Sequence, residues 1–148
     1  MPQFPLSGLT VISLEQAVAA PFCSRQLAEQ GARVIKIERP GVGDFARGYD
    51  QTVQGQSAYF LWLNRSKESL SLDVKQPDAL KVLKQLIAKA DVFIQNLLPG
   101  AAARAGFGGD DLRSRHPRLI TCDLSGYGAD GTSKEMKSYD MLVQAETG

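Results

Sequence analysis

Residues 33–44 read Arg-Val-Ile-Lys-Ile-Glu-Arg-Pro-Gly-Val-Gly-Asp, a β-branched apolar run that stops abruptly at charged residues, a proline and two glycines. Val34, Ile35 and Ile37 predict a strand from Arg33 to Glu38 that is buried on both faces. Pro40 prevents a simple continuation of that strand. In open α/β sheets, ligands bind outside the carboxyl ends of the strands. Arg39 is therefore either an anion contact at such an end or a solvated loop residue.

The residues before this run predict a short βαβ unit. Leu9 to Leu14 form a compact apolar segment that indicates a first strand. Pro21 suits the first turn of a helix that runs to about Gln30, and Gly31 ends it. Two parallel strands joined in this way take a right-handed crossover.

Strand and helix patterns continue to alternate along the chain. The predicted strands are Ser69–Val74, Asp91–Ile94 and Leu119–Leu124, and the predicted helices begin at Pro77, at Asp110 (through His116) and at Tyr139. The helix from Pro77 is amphipathic, with Leu80, Val82, Leu83, Leu86 and Ile87 on its apolar face. Residues 44–57 indicate a loop, and Ala58–Leu63 a brief apolar segment. The alternation predicts an α/β fold with an open, mostly parallel sheet and helices on both faces.

Composition limits the kind of protein this is. A chain of 148 residues supports one domain with a real core. The net charge of +1 gives no general field for nucleic acid or an anionic membrane, and no apolar run approaches the length of a membrane span. The first residues lack the regions of a signal peptide. Two isolated cysteines indicate a reducing compartment and argue against a structural metal site in the protein. We therefore expect a cytoplasmic protein, and its charge and hydropathy predict neither nucleic-acid nor membrane partners.

Several common motifs are missing from the sequence. The turn after Leu14 has no glycine until Gly31, so the GxGxxG fingerprint of dinucleotide-binding folds is absent. No GxxxxGK[ST] loop occurs either. The single histidine, His116, makes a histidine-based triad within this segment improbable and is expected at the surface. Cys23 is expected to be a small core residue.

Cations and an amide gather instead near the predicted strand ends. Arg39, Lys75 and Asn96 each follow a strand, and Arg104 comes eight residues after Asn96. In a parallel sheet these positions share one edge. Dispersed cations at one edge suit a ligand with several separate phosphates better than one compact anion.

A series of short motifs then runs through almost the whole chain in a fixed order. They are Gly8-Leu9-Thr10-Val11-Ile12, Ala20-Pro21, residues 27–38 followed by Gly41 and Gly43-Asp44, Asn64 with Lys67, Leu72-Asp73, Ala90-Asp91-Val92, Asn96 with Pro99-Gly100, Gly106-Phe107, Gly126-Tyr127-Gly128, and Tyr139-Asp140 with Gln144-Ala145 and Gly148. In this order they resemble the class III CoA-transferases, the family of formyl-CoA transferase and carnitine CoA-transferase. α-Methylacyl-CoA racemase shares their fold.

The resemblance implies a Rossmann-like large domain that lacks the glycine fingerprint and binds coenzyme A at its strand ends. It places Arg39 at a phosphate, and it places five further residues along the CoA groove, namely Leu72, Lys75, Asn96, Arg104 and Lys137. CoA and acyl-CoA are then substrates, and no cofactor is permanently bound. Members of the family form interlocked homodimers. The chain would be the N-terminal part of the large domain, and we expect it to be truncated and inactive alone.

The resemblance also implies a mechanism. An aspartate attacks the acyl-CoA thioester, and an aspartyl-CoA thioester then passes CoA to an acceptor carboxylate. That aspartate is expected beyond Gly148, whereas Asp140 is expected to cap the last helix. Tyr139 stands where racemases carry a histidine. Its hydroxyl is a poor base near neutral pH but a good hydrogen-bond donor, which favours CoA transfer over racemisation. Gln16 borders the acyl group and supplies a side-chain amide, while Val18 on the same loop only shapes the pocket.

Two other functions stay open at this point. One is an acyl-CoA racemase, and the other is a non-catalytic module that binds CoA or a nucleotide. The sequence also departs from the family pattern at two places, with Gly131-Thr132 instead of Gly-Pro and Lys137-Ser138 instead of Pro-Gly. Both departures leave the acyl specificity open.

Overall fold

The structure, a computed structural model, describes residues 4–134, 136 and 138–148. The strands are β1 (Thr10–Leu14), β2 (Arg33–Glu38), β3 (Lys67–Ser71), β4 (Val92–Gln95) and β5 (Ile120–Asp123). The helices are α1 (Ala19–Glu29), α2 (Ala58–Asn64), α3 (Pro77–Ile87), α4 (Ala101–Arg104), α5 (Gly109–Arg115) and α6 (Asp140–Thr147). A 3₁₀ turn covers Phe45–Gly48 within the predicted loop.

The five strands form one open sheet in the order β3-β2-β1-β4-β5, and every ladder in it is parallel. β1 is central, with Ile12 opposite Ile35 on one side and opposite Phe93 on the other. The strand order reverses between β1 and β4, which is the switch point where open α/β sheets bind ligands. The predicted parallel α/β sheet is confirmed.

Helices cover both faces of the sheet, as predicted. On one face, β1, β2 and β4 present Ile12, Ile37 and Phe93 to a buried core. This core is completed by residues of α3, α4 and α5, namely Leu83, Ile87, Ala102 and Leu112. The other face packs against α1, and its buried core contains Val11, Ala20, Ala28, Val34 and Ile94. Cys23 packs against this second core, in agreement with its predicted role.

Several local predictions differ from the structure, most of them by one or two residues at an element's end. β3 covers Lys67–Ser71 rather than Ser69–Val74, because it pairs only with β2, whose last residue Glu38 lies opposite Ser71. The brief apolar segment is the helix α2, which begins after Ser57, whose hydroxyl accepts a hydrogen bond from the Phe60 N–H. Val82 is 42 % exposed and does not belong to the buried face of α3.

Candidate active site at the carboxyl edge of the sheet

A cleft opens where β1, β2 and β3 end. It is lined by Leu14, Glu15, Gln16, Ile37, Glu38, Arg39, Gly43, Asp44, Leu72 and Val74. The N–H of Leu72 donates to the carbonyl of Glu38 at 2.8 Å, so the chain that leaves β3 runs directly beside the residue that precedes Arg39. The structure therefore brings Gln16, Arg39 and Leu72 of the predicted site together. Leu72 and Val74 are half-buried and give this cleft an apolar wall.

The Arg39 guanidinium is exposed at the mouth of the cleft. Its nearest acceptors are the Gln16 side-chain oxygen and the Gly43 carbonyl, both 3.5 Å from one guanidinium nitrogen. These distances are at the outer limit of a hydrogen bond. Within the described residues no carboxylate lies within 4.0 Å of it. Its donors are thus free for an anionic ligand.

Two other predicted cations, Lys75 and Arg104, come after β3 and β4 but do not line the cleft. Lys75 is exposed four residues after β3, in a turn where its N–H donates to the Asp73 carboxylate at 3.1 Å. Arg104 is exposed at the end of α4, which follows β4, and its guanidinium folds back over Gly100. Lys137 lies outside the described residues. Their contacts with CoA stay predictions.

Tyr139 and the last helix are also placed. Tyr139 immediately precedes α6 and is 60 % exposed. Burial, with smaller contributions from the charges of Asp44 and Tyr139, raises the pKa of Tyr49. The predicted capping role of Asp140 falls on a side chain that the structure does not describe. His116, predicted at the surface, is half-buried after α5.

Asn96 joins the ends of β1 and β4 across the switch point. Its side-chain oxygen accepts from the Gln16 N–H at 2.9 Å, and its side-chain nitrogen donates to the Gln16 carbonyl at 2.8 Å. Both sides of the Asn96 amide are therefore used to hold residue 16. Sequence reasoning placed Asn96 at this edge but gave no sign of this contact, because the two residues are 80 positions apart.

Four charged side chains form a buried charge cluster beside the cleft, on the α1 side of the sheet. They are Glu15, Lys36, Asp44 and Lys67, and no more than 2 % of any of these side chains is exposed. The Lys36 ammonium donates to the Asp44 carboxylate at 2.6 Å, and the Lys67 ammonium donates to the Glu15 carboxylate at 2.8 Å. Both ammonium groups also donate to the side-chain oxygen of Asn64. Two positive and two negative charges balance each other.

Neutral groups complete much of this network. The Lys67 ammonium also donates to the Pro21 carbonyl at 2.9 Å, and the Ser24 hydroxyl donates to Glu15 at 2.8 Å. Burial lowers the pKa of Lys67, and the neighbouring Glu15 opposes that change. Among the described side chains, only Ser13 Oγ and Glu15 Oε2 are buried without a hydrogen-bond partner in the protein.

Sequence analysis missed the buried charge cluster. The available signal was Lys36, a lysine inside an otherwise apolar strand, because a fully buried lysine requires a partner. The alternation of β1 and β2 sends Ser13, Glu15 and Lys36 to the same face as the apolar residues Val11 and Val34. This face is therefore apolar near the start of the strands and ionic near the cleft.

Glu38 and Arg47 form a further ion pair at the edge of this cluster. Two guanidinium nitrogens of Arg47 donate to the two carboxylate oxygens of Glu38, each at 2.8 Å. Burial of the Glu38 carboxylate opposes its ionisation, but hydrogen bonds from Arg47, Ser69 and the Asp44 N–H outweigh this effect. They lower the pKa of Glu38 from the ordinary 4.5 to about 2. The ion pair is bidentate, the geometry that favours arginine over lysine.

This low pKa predicts a defined loss of stability in acid. The contribution of Glu38 is complete above pH 4.5 and disappears as the pH falls towards about 2, because the unfolded chain takes up the proton first. We expect Arg47→Met to lower the free energy of unfolding by about 2–3 kcal/mol at neutral pH. The difference from the unsubstituted protein should shrink across that acid range. Urea unfolding at a series of pH values measures it.

Arg113→Met is the matched control, because Arg113 pairs with Asp110 on the exposed surface of α5. Its effect should stay below about 0.5 kcal/mol at every pH. A difference for Arg47→Met that persists undiminished at pH 2 would contradict the assignment of the acid-sensitive stability to Glu38.

Two general features complete the description of the site. Across residues 4–134, 136 and 138–148, no group of three or more histidine, cysteine, aspartate or glutamate side chains is arranged to hold a metal ion. In the same part of the chain, no helix has the length and apolar character needed to cross a bilayer.

Known proteins share this fold and much of this sequence. Rv3272 from Mycobacterium tuberculosis superposes with a TM-score of 0.93 at 37 % identity, over 100 % of this chain and 42 % of that one. A CAIB/BAIF family protein from Brucella suis gives a TM-score of 0.91 at 33 % identity, over 98 % of this chain and 39 % of that one.

Curated relatives carry activity names. The chain is 37 % identical over 145 residues to succinyl-CoA:glutarate CoA-transferase from Homo sapiens, covering 97 % of this chain and 33 % of the relative. It is 41 % identical over 147 residues to acetyl-CoA:oxalate CoA-transferase from Acetobacter aceti, covering 99 % of this chain and 38 % of the relative. The chain therefore spans only 33 % and 38 % of the lengths of these two relatives. The sequence model for CoA-transferase family III matches residues 6–148, and the chain belongs to that family.

Proposed function

We propose that the chain supplies the CoA-binding edge of an enzyme that moves CoA from an acyl-CoA thioester to a small carboxylic acid. The observation that carries this proposal is the uncommitted guanidinium of Arg39 beside the apolar wall of Leu72 and Val74. A cation next to an apolar surface suits a ligand that joins phosphates to an aromatic base. CoA is such a ligand, and membership of CoA-transferase family III supports this role for the cleft.

The proposed binding mode divides the coenzyme between these groups. Arg39 contacts a phosphate, and the apolar wall accepts the adenine ring. Lys75, Arg104 and Lys137 supply positive charge to the remaining phosphates, which are too widely separated for one side chain to reach. A contact of Asn96 with the coenzyme, through the lone pair and the N–H that Gln16 leaves unused, is an alternative role for this residue.

The proposed chemistry proceeds through covalent exchange on an aspartate that follows Gly148. Its carboxylate oxygen attacks the thioester carbonyl, the carbon–sulfur bond breaks, and CoA departs as a thiolate. The product on the enzyme is a mixed anhydride of the aspartate and the donor acid. The thiolate then attacks the aspartyl carbonyl and releases the donor acid, which forms an aspartyl-CoA thioester. The acceptor carboxylate attacks the aspartyl carbonyl of that thioester, its carbon–sulfur bond breaks, and CoA thiolate is released as a second mixed anhydride forms. The thiolate then attacks the acceptor's acyl carbon in this anhydride, which gives the new acyl-CoA and regenerates the aspartate.

Two side chains of this chain assist that exchange. The Gln16 amide nitrogen and the Tyr139 hydroxyl donate hydrogen bonds to the oxygens that gain charge in each addition. The names of the relatives, with glutarate and oxalate as acceptors, support small carboxylic acids as the acceptor class. The same proposal includes an interlocked homodimer, a cytoplasmic location, CoA thioesters as substrates and no permanently bound cofactor.

Isotope exchange tests the proposed reaction in the full-length protein that carries this chain. The protein is incubated with a chiral 2-methylacyl-CoA and a ¹³C-labelled small carboxylic acid in deuterated water. We expect label to appear in the acyl-CoA pool while the α-carbon keeps its hydrogen. Uptake of deuterium at the α-carbon without label exchange would instead identify a racemase. Binding of CoA without either reaction would identify a non-catalytic module.

A further inference from the structure

The loop after β1, residues 15–18, is held from two sides by other parts of the chain. From the β4 side, Asn96 accepts from the Gln16 N–H and donates to the Gln16 carbonyl. From the β2 side, the Asp44 carboxylate accepts from the Ala17 N–H at 3.1 Å. The backbone of the two central residues is thus fixed by side chains from two different crossovers.

The conformation of this loop requires such support. Ala17 has a φ of +65°, in the left-handed region that L-residues other than glycine rarely adopt. Residues in such conformations persist where surrounding contacts determine them, and they concentrate at functional sites. Asp44 is itself fixed, because it also accepts from the Ala46 N–H at 2.9 Å and from Lys36 in the buried charge cluster.

The side chain of Gln16 has one open end. Its oxygen faces the Arg39 guanidinium at 3.5 Å, and it lines the cleft. Its amide nitrogen has no hydrogen-bond partner within the described residues. Because Gln16 lines the cleft, this nitrogen is free to donate to a ligand there.

We propose that Asn96 is a positioning residue: by binding the Gln16 backbone, it sets the direction of the Gln16 side-chain amide. Asp44 supports this role by fixing the backbone of the next residue, Ala17. This inference rests on the proposed function, in which Gln16 contacts the reacting acyl group. It differs from the prediction that Asn96 contacts CoA, because a positioning residue changes turnover and leaves coenzyme affinity as it is. A small displacement of a catalytic group is enough for a large effect on rate.

A double-mutant cycle in the full-length protein tests this role. The variants are Asn96→Ala, Gln16→Ala and the pair, with Gln85→Ala on the exposed surface of α3 as the matched amide control. We expect Asn96→Ala to lower kcat about 10- to 100-fold, with the Kd for CoA by calorimetry within about twofold of the unsubstituted value. In the Gln16→Ala background, the further loss in kcat should be less than about threefold.

Asn96→Asp provides a second arm that preserves size and folding. The aspartate still accepts from the Gln16 N–H but meets the Gln16 carbonyl with an oxygen until it is protonated. At neutral pH, where an ordinary aspartate is ionised, we expect its kcat to fall at least as far as that of Asn96→Ala, because the carboxylate cannot donate to the Gln16 carbonyl. A kcat within about twofold of the unsubstituted value would overturn the role.

The remaining outcomes are distinct from one another. Additive losses in the cycle, no loss for Gln16→Ala, or a CoA Kd that weakens tenfold or more with kcat retained would each overturn the positioning role while CoA transfer stands. If the unsubstituted protein transfers no CoA, the proposed function fails first, and this inference fails with it.

Discussion

Replacing Lys36 with methionine should lower the free energy of unfolding by about 3–5 kcal/mol. The ammonium of Lys36 is fully buried and faces Asp44 at 2.6 Å and Glu15 at 3.8 Å. Methionine is similar in length to lysine and fills the same space. The loss in stability therefore reports the removal of the charge and not the creation of a cavity. Without Lys36 the buried charge cluster carries an unbalanced negative charge with no access to water. Chemical denaturation followed by circular dichroism gives the change in free energy.

Two further variants show whether the charge balance is responsible. Lys81→Met removes a lysine that pairs with Asp78 on the exposed surface of α3, and it should cost less than about 0.5 kcal/mol. Adding Asp44→Asn to Lys36→Met makes the cluster neutral again and keeps an acceptor for the Ala17 and Ala46 N–H groups. The pair should recover about 1–2 kcal/mol relative to Lys36→Met alone. A loss below about 1 kcal/mol for Lys36→Met would mean that the cluster is solvated.

Replacing Arg39 with alanine should weaken CoA binding by about 1.5–3 kcal/mol, or roughly 10- to 150-fold in Kd. The guanidinium has no ionic partner in the described part of the chain, so its removal leaves no buried carboxylate uncompensated. The expected loss is therefore one of affinity and not of folding. Calorimetric titration of CoA into the full-length protein, together with its thermal midpoint, separates the two effects.

The matched control lies at the opposite end of the same strand. Arg33 begins β2 at the amino edge of the sheet, where it pairs with Glu68 on the surface. Arg33→Ala should leave the CoA affinity within about twofold. Arg39→Lys should lose part of the affinity, since lysine keeps the charge but not the fork of donors. Equal affinities for Arg39→Ala and the unsubstituted protein would remove Arg39 from the binding edge.

The apolar patterns of the sequence predict most of the fold correctly. The β2 run between Arg33 and Glu38 has the predicted bounds, and β1 begins one residue later than predicted. The β3 bounds were wrong because Ser-Leu-Ser-Leu alternates over a longer stretch than the partner strand can pair. The end of that ladder is fixed by Glu38, a residue of another strand that no local pattern connects to β3.

The grouping of Gln16, Arg39 and Leu72 at one edge was predictable, but the contacts within this candidate site were not. Parallel strands bring their ends to one edge, so the proximity of Arg39 to Leu72 follows from the fold class. The contact of Asn96 with Gln16 depends on two residues in different crossovers, and so does the ion pair of Lys67 with Glu15. Such contacts arise only after the chain has packed, and a single sequence carries no direct sign of them.

The β1–β4 ladder also has a consequence for synthesis of the chain. The Thr10 N–H bonds to the Asp91 carboxylate 81 residues away, at the start of this ladder. During translation β1 therefore leaves the ribosome long before β4 is available, and one of its edges stays unpaired for that interval. A nascent chain of this kind is exposed to aggregation until more than half of these residues have been made. Refolding from denaturant should accordingly be slow and sensitive to protein concentration.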